Sequence, residues 1–249
     1  MRIDVHIARL AAEGELLIRA AETAGPDARV PTCPGWQVRD LLRHIGGVHR
    51  WATSFVRDRR SDPNDPPQAS FFAEPPSDGD LGAWFRDGHA GLIAALRAAD
   101  PALACWSFLP APSPLAFWAR RQAHETAIHR FDAQSAAGTA YAVPAEFAAD
   151  GLAELLEGFV ARSRGALMSD PPVGLGVRVV DTGHAWTVVI GPDGRRVTAD
   201  AQPADLVLSG PAGNLYSLLW NRSDLDGVRA EGDLAVWDLW RERMRITWS

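Results

Sequence analysis

Residues 119–134 read ARRQAHETAIHRFDAQ, and this stretch combines a helical pattern with several polar side chains that could meet inside a helical bundle. It lies in a predicted helix over about residues 115–137. Glu125 and His129 are four positions apart, so both side chains project from one helical face and can share one ion. His124 lies about 100° further round the helix and is less suited to that ion. Because a protein zinc site needs at least three ligands, a third one must come from a neighbouring helix.

The most suitable third ligand is His44, within DLLRHIGGVHRW at residues 40–51. This stretch belongs to a second predicted helix, over about residues 36–59, and His44 borders its apolar stripe while His49 points away. The pair Gly46-Gly47 beside it would let a neighbouring helix approach closely.

The spacing alone leaves other interpretations open. Glu125 could form a surface ion pair with Arg121, which is also one turn away. His44 could be a core histidine bonded to a carbonyl group, and His129 could be solvated. An E-x-x-x-H pair is a weak signal by itself.

Helical periodicity continues over about residues 3–168. Besides the two segments above, it predicts helices over residues 3–22, 81–99 and 145–168. Four antiparallel helices with these connections are typical of an up-and-down bundle, whose core can bring polar side chains together on a metal. The proline-rich loop over residues 61–76 is long enough to form a flap or one edge of a site.

After about residue 174 the pattern changes to short alternating runs. They predict strands over residues 173–181, 185–191, 195–200, 204–210 and 244–248, with helices over 211–220 and 233–240. A hairpin turn is expected at residues 191–194. Pro171-Pro172 marks the boundary, so the predicted fold class is α+β: an antiparallel four-helix bundle over residues 1–169 and a small α+β domain over 170–249.

Composition excludes several classes of protein. The net charge of -6 and the lack of a basic, aromatic-rich patch disfavour nucleic acid as a partner. Asp4, Glu13 and Glu15 interrupt the start, and no later window of 18 residues is apolar and uncharged, so we expect a cytoplasmic protein without a membrane partner. Cys33 and Cys105 form no C-x-x-C pair and are expected to be half-buried free thiols. Every basic residue is Arg, which suggests a GC-rich, actinobacterium-like source.

Two stretches of the bundle resemble a known family. VPTCPGWQVRDLLRHIGGVHRWA (residues 30–52) and ARRQAHETAIHRFDAQ are similar, in order and spacing, to the signatures of the mycothiol-dependent maleylpyruvate isomerase family. The bundle of that family belongs to the DinB-like metal-binding superfamily. The tail, from ADLVLSGPAGNLYSLLWNR (204–222) to VRAEGDLAVWDLW (228–240), resembles the family's C-terminal domain, which is like sterol carrier proteins.

The resemblance implies a site and a reaction. Zinc, or another divalent metal, would be bound by His44, Glu125 and His129, with one coordination place left for the thiol of mycothiol. Addition of that thiol to the cis double bond of maleylpyruvate makes a single bond that can rotate, and elimination returns the trans isomer. The expected partners are therefore a small-molecule substrate and a low-molecular-weight thiol, with the protein a monomer or weak homo-oligomer.

Arginine is the side chain best suited to the substrate's carboxylates. Arg222 is the candidate catalytic residue, because the resembling family uses an arginine of its C-terminal domain near the site. Arg43 and Arg121 flank the metal motifs and are alternatives. Trp36 and His49 could line the pocket, although packing in the core is the simpler interpretation of Trp36.

Two further hypotheses of function stay open. The same metal and thiol would serve a mycothiol S-transferase that acts on electrophiles. A protein of another class, which binds an apolar ligand or regulates through its metal without catalysis, would also accommodate the bundle and the tail.

Overall fold

The computed structural model describes residues 1–73, 76–162 and 167–244. Contacts divide the chain into two compact units, Met1–Tyr141 and Ala142–Ser249. Helices and a five-stranded sheet occur together in the described residues, so the predicted α+β class is confirmed.

Four helices form the first unit. They are α1 (Ile3–Ala24), α2 (Val38–Asp58), α3 (Leu81–Ala98) and α4 (Pro114–Ala137). The helix α4 begins where the Ser113 side chain accepts a hydrogen bond from the Ala116 backbone amide, and it ends at Gly138, whose φ of 64° suits glycine. All four helices match the predicted segments to within a few residues.

The first and last helices of this unit are neighbours that run in the same direction. The ring of His6 contacts that of His124 at 6.0 Å between centroids, and about two turns further along α1 Glu13 pairs with Arg130. Because both sequence numbers rise together along the interface, α1 and α4 are parallel.

The helices α2 and α3 are also parallel neighbours. Gly46 of α2 lies against Trp84 of α3, and Arg50 pairs with Asp87 at 3.1 Å. The up-and-down order expected from the sequence is therefore broken between these two helices. The connection over residues 59–80 is long enough to return the chain to the starting end of the bundle, and it contains a short 3-10 helix, Gln68–Phe71.

Apolar side chains from all four helices meet in the interior of the bundle. Leu17, Leu41, Ile45, Phe85 and Ala133 are fully or almost fully buried in one cluster. Their positions follow the helical stripes of the sequence, since a stripe three or four residues apart faces one side of a helix.

The second unit combines a sheet with three helices. Its helices are α5 (Ala145–Ala153), which continues as a π-helical segment (Glu154–Val160), α6 (Ala212–Leu219) and α7 (Ala235–Arg243). Its strands are β1 (Val173–Val179), β2 (Ala185–Gly191), β3 (Gly194–Thr198), β4 (Leu206–Gly210) and β5 (Arg229–Gly232). The sheet order is β3-β2-β1-β4-β5, and β1 pairs with β4 in parallel while the other pairs are antiparallel.

Three features of this unit differ from the sequence prediction or extend it. The helix α5 packs against α6, so the division by contacts falls before α5 and not between residues 169 and 170 as predicted. The strand β5 was not predicted, because it is short and its residues, RAEG, are mostly exposed. The closing strand expected over residues 244–248 lies, beyond Met244, outside the described residues. The turn between β2 and β3 is the expected hairpin.

Within the described ranges, none of the helices combines the length and the apolar character needed to cross a bilayer.

Candidate metal centre

The structure brings His44, Glu125 and His129 together in the first unit. One potential ligand atom of each side chain lies within 4.8 Å of the others. Oε1 of Glu125 is 3.6 Å from Nε2 of His44 and 3.3 Å from Nε2 of His129. Because α2 supplies one of these side chains and α4 the other two, the three groups converge only when these helices pack.

The three side chains differ in their access to solvent. Those of Glu125 and His129 are 9% and 10% exposed, whereas 21% of the His44 side chain is exposed. A small molecule that reaches this cluster from the solvent side of the first unit would therefore meet His44.

A buried arginine holds the carboxylate. Nη2 of Arg121 donates to Oε2 of Glu125 at 2.7 Å, which leaves Oε1 facing the two imidazoles. The pair with Arg121 that the spacing allowed is thus present, but inside the bundle and not at its surface. Burial raises the pKa of Glu125, but Arg121 and the two imidazoles outweigh burial and hold that pKa well below its usual value. The group is therefore a carboxylate, the form that binds a metal.

A second carboxylate orients His129. Nδ1 of His129 donates to Oδ2 of the fully buried Asp132 at 2.9 Å, which directs Nε2 toward Glu125. The other oxygen of Asp132 accepts a hydrogen bond from the hydroxyl of Thr32 at 2.5 Å. A histidine that binds a metal through one nitrogen commonly donates from the other to such a carboxylate.

Two carboxylates and two cationic side chains lie together at this cluster. Burial lowers the pKa of His129, but its bonds with Asp132 and Glu125 outweigh this and raise the pKa to about 9. Burial lowers the pKa of His44, which favours its neutral form. The carboxylates of Glu125 and Asp132 are therefore balanced by Arg121 and by the proton on His129, and a metal ion would have to displace that proton. The donor set of two imidazoles and a carboxylate fits zinc, which takes these ligand types.

Asp132 and Thr32 were missed by the sequence argument. Asp132 follows His129 by three positions, and that spacing on one helical face was the available signal. Thr32 is 100 positions from Asp132, and nothing in the sequence connects the two.

The other histidines near the motifs do not belong to this ligand set. Nε2 of His49 bonds to the hydroxyl of Thr126 at 2.9 Å in the interior of the bundle. His124 is fully buried and its ring contacts His6. The azimuth argument against His124 therefore agrees with its position.

The candidate arginines lie in different places. Nη2 of Arg43 binds Asp78 at 3.1 Å in the first unit. Arg222 belongs to the second unit, where it follows α6 and its Nη1 donates to the carbonyl oxygen of Trp220 at 3.0 Å. Cys33 and Cys105 are free and half-buried, as expected.

The fold and the cluster define a class: a helical bundle with a potential metal centre, joined in one chain to a small α+β unit. Residues 7–134 match the N-terminal domain of mycothiol maleylpyruvate isomerase, and residues 146–239 match the C-terminal domain named after the same enzyme. The chain belongs to the mycothiol maleylpyruvate isomerase family.

Solved structures show the same fold. Two crystal structures of the mycothiol-dependent maleylpyruvate isomerase, one of them a histidine-to-alanine mutant, match 93% of this chain over 93% of their own. The TM-scores are 0.65 for the mutant and 0.63 for the other structure, each at 15% sequence identity. No curated protein matches the chain by sequence.

Proposed function

We propose that this protein is a metal- and mycothiol-dependent enzyme that isomerises a cis double bond in maleylpyruvate or a similar unsaturated acid. The observation that carries the proposal is the convergence of His44, Glu125 and His129 within 4.8 Å in a chain of this family. The absence of a C-x-x-C pair among its own cysteines is compatible with a thiol supplied from outside.

Zinc is the metal that we expect, held by these three side chains. Three protein ligands with one open coordination place are typical of catalytic zinc, and a thiol bound at that place would be ionised near neutral pH. Residues of the chain prepare the place: Arg121 keeps Glu125 ionised, and Asp132 fixes the direction of the His129 imidazole.

We assign Arg222 to the substrate's carboxylate, following the resemblance of the tail. A planar guanidinium can bind a carboxylate through two parallel hydrogen bonds. We also expect a cytoplasmic enzyme, since two cysteines are too few for a disulfide framework. We expect it to be active as a monomer or weak homo-oligomer.

Metal content and thiol-dependent turnover test the proposal together. The purified protein, reloaded with zinc, should contain about one zinc per chain by mass spectrometry of the element. His129→Ala should lose the metal, whereas His184→Ala, at an exposed position of the second unit, should keep it. Wild-type protein should then convert maleylpyruvate to its trans isomer only when mycothiol is added.

The outcomes separate the open hypotheses. Thiol-dependent consumption of a bimane electrophile without isomerisation of maleylpyruvate would identify an S-transferase. A wild-type protein that cannot be loaded with zinc would defeat the metal hypothesis, and of the other class only the apolar-ligand-binding protein would then stand.

A further inference from the structure

Two aromatic side chains lie against the imidazoles of the metal centre. The ring of Trp36, from the connection between α1 and α2, is 5.1 Å from that of His44 and is stacked on His129 at 6.4 Å. The ring of Phe72, from the connection between α2 and α3, is stacked on His44 at 6.1 Å. Both rings are partly buried and reach the cluster at its more exposed ligand.

The fold holds Trp36 in place. Its backbone amide donates to the carbonyl oxygen of Cys33 at 3.0 Å, and its own carbonyl oxygen accepts from Val30 at 2.9 Å. The same turn is tied to α4 by the bond from Thr32 to Asp132. The turn that carries Trp36 is therefore tied to the same carboxylate that orients His129.

The position of Phe72 depends on a glycine. A Cβ atom added at Gly47 would lie 2.5 Å from Cδ1 of Phe72, closer than real Cβ contacts. Only a residue without a side chain at position 47 lets this ring lie on α2 beside His44. A glycine in the middle of a helix costs stability, and the close approach of the Phe72 ring to α2 explains why glycine stands at position 47.

Two arginines of the first unit that flank the cluster residues in sequence are paired with carboxylates. Arg121 pairs with Glu125, and Arg43 pairs with Asp78. Trp36 and Phe72 thus add a flat carbon surface beside the proposed ligands, and they add no positive charge.

We propose that Trp36 and Phe72 form a subsite that recognises the flat, conjugated carbon skeleton of the unsaturated substrate by stacking. Conjugated double bonds keep an acid planar, and a planar skeleton meets an aromatic face over its whole length. A saturated chain of equal length and charge does not. This inference names the substrate class of the proposed function and rests on that function.

Two six-carbon monocarboxylates test the subsite without turnover. Sorbate is planar and conjugated, and hexanoate is saturated and flexible. Calorimetric titration into the wild-type protein should show sorbate binding about tenfold more tightly, the ratio that two aromatic contacts of about threefold each supply. The titrations are made on zinc-loaded and on zinc-free protein.

Four variants locate the effect. Trp36→Leu, Phe72→Leu and Gly47→Ala should each reduce the preference for sorbate at least about threefold, because each removes or displaces one ring. Trp36→Phe should retain most of it. Phe71→Leu is the matched control, since Phe71 is the adjacent aromatic residue and its ring faces Arg60.

The result that overturns the proposal is a wild-type protein that binds both acids equally, or variants that keep the full preference. Circular dichroism identifies a variant that has not folded. In that case the proposal is decided by the preference for sorbate over hexanoate in the wild-type protein and in Trp36→Phe. Failure to load zinc counts against the proposed function alone, because the preference is also measured on the zinc-free protein.

Discussion

Asp132 joins two parts of the bundle by accepting two hydrogen bonds, one from Nδ1 of His129 at 2.9 Å and one from the hydroxyl of Thr32 at 2.5 Å. The first bond orients a proposed metal ligand. The second fastens to α4 the turn that carries Trp36. One buried carboxylate therefore positions both a ligand and an aromatic wall of the candidate site.

Asp132→Asn should weaken zinc binding about 10- to 100-fold, the usual cost of changing the partner of a metal-binding histidine. The amide has no charge and holds the His129 imidazole less firmly. Competition with a chromophoric chelator measures the affinity. Thr32→Val is the control: it leaves the bond between Asp132 and His129 in place and should cost less than about tenfold. Unchanged affinity in Asp132→Asn would contradict this role.

Gly14→Ala should destabilise the protein by about 1–3 kcal/mol, because overpacking forces neighbours to move. A Cβ at this position of α1 would lie 2.2 Å from Nε2 of His89 on α3. Gly91→Ala is the matched control, since a Cβ there meets nothing within 4 Å in the middle of α3. It should stabilise by about 0.5–1 kcal/mol. Urea unfolding measures both, and equal effects would refute the close approach of α1 and α3.

Glu13→Leu should destabilise the bundle by about 3–5 kcal/mol. Glu13 is fully buried, and its Oε2 lies 2.8 Å from Nε of Arg130. The substitution leaves the guanidinium buried without this carboxylate. Adding Arg130→Met should recover most of the loss, since well-packed apolar residues can replace a buried ion pair. If the double variant is as unstable as the sum of the two single ones, the pair is not coupled.

Acid should destabilise the bundle through His49 and His89. Burial lowers the pKa of His89, and it lowers that of His49 well below the ordinary value of 6.5. The folded state thus binds fewer protons than the unfolded state below about pH 6.5. Stability is complete above that pH and falls as the pH drops toward the folded-state pKa values, by about 1.4 kcal/mol per pH unit for each ring that stays neutral.

The variant His89→Gln checks this pH dependence. Nε2 of His89 donates to the carbonyl oxygen of Leu10 at 2.9 Å, and a glutamine amide keeps a donor without titrating. The ionisable groups that also act on these two rings are Glu15, Arg50, Glu125 and His129. Since they remain in both proteins, the difference between the two stability curves reports the titration of His89 together with its repulsion of a protonated His49. Parallel curves between pH 5 and pH 7 would show that His89 contributes nothing.

The helices were predictable because an apolar stripe repeats with the helical period whatever the helix packs against. In the structure Ser113 and Gly138 cap α4 within a residue or two of the predicted bounds. The direction of α3 was not predictable, because periodicity carries no information on which way a helix runs after a long connection. β5 escaped prediction because its residues are exposed and not alternately apolar.

The proposed ligands could be found because two of them lie one turn apart on a single helix. Their spacing and the resemblance of the surrounding stretches named His44 as the third. Phe72 could not be found in this way, because its approach depends on an absent side chain at position 47. The bond from Thr32 to Asp132 joins distant parts of the chain, and local patterns say nothing about such pairs.

The parallel placement of α1 beside α4 has a consequence for how the chain folds. Its interface joins the opening helix to the last helix of the unit, so the longest loops must close before this part of the interior excludes water. Closing such loops costs entropy, and topologies rich in distant contacts fold more slowly than those built from adjacent hairpins. During synthesis, the apolar face of α1 stays without its main partner, α4, until residue 137 has left the ribosome. Over that interval this face is a surface to which a chaperone can bind.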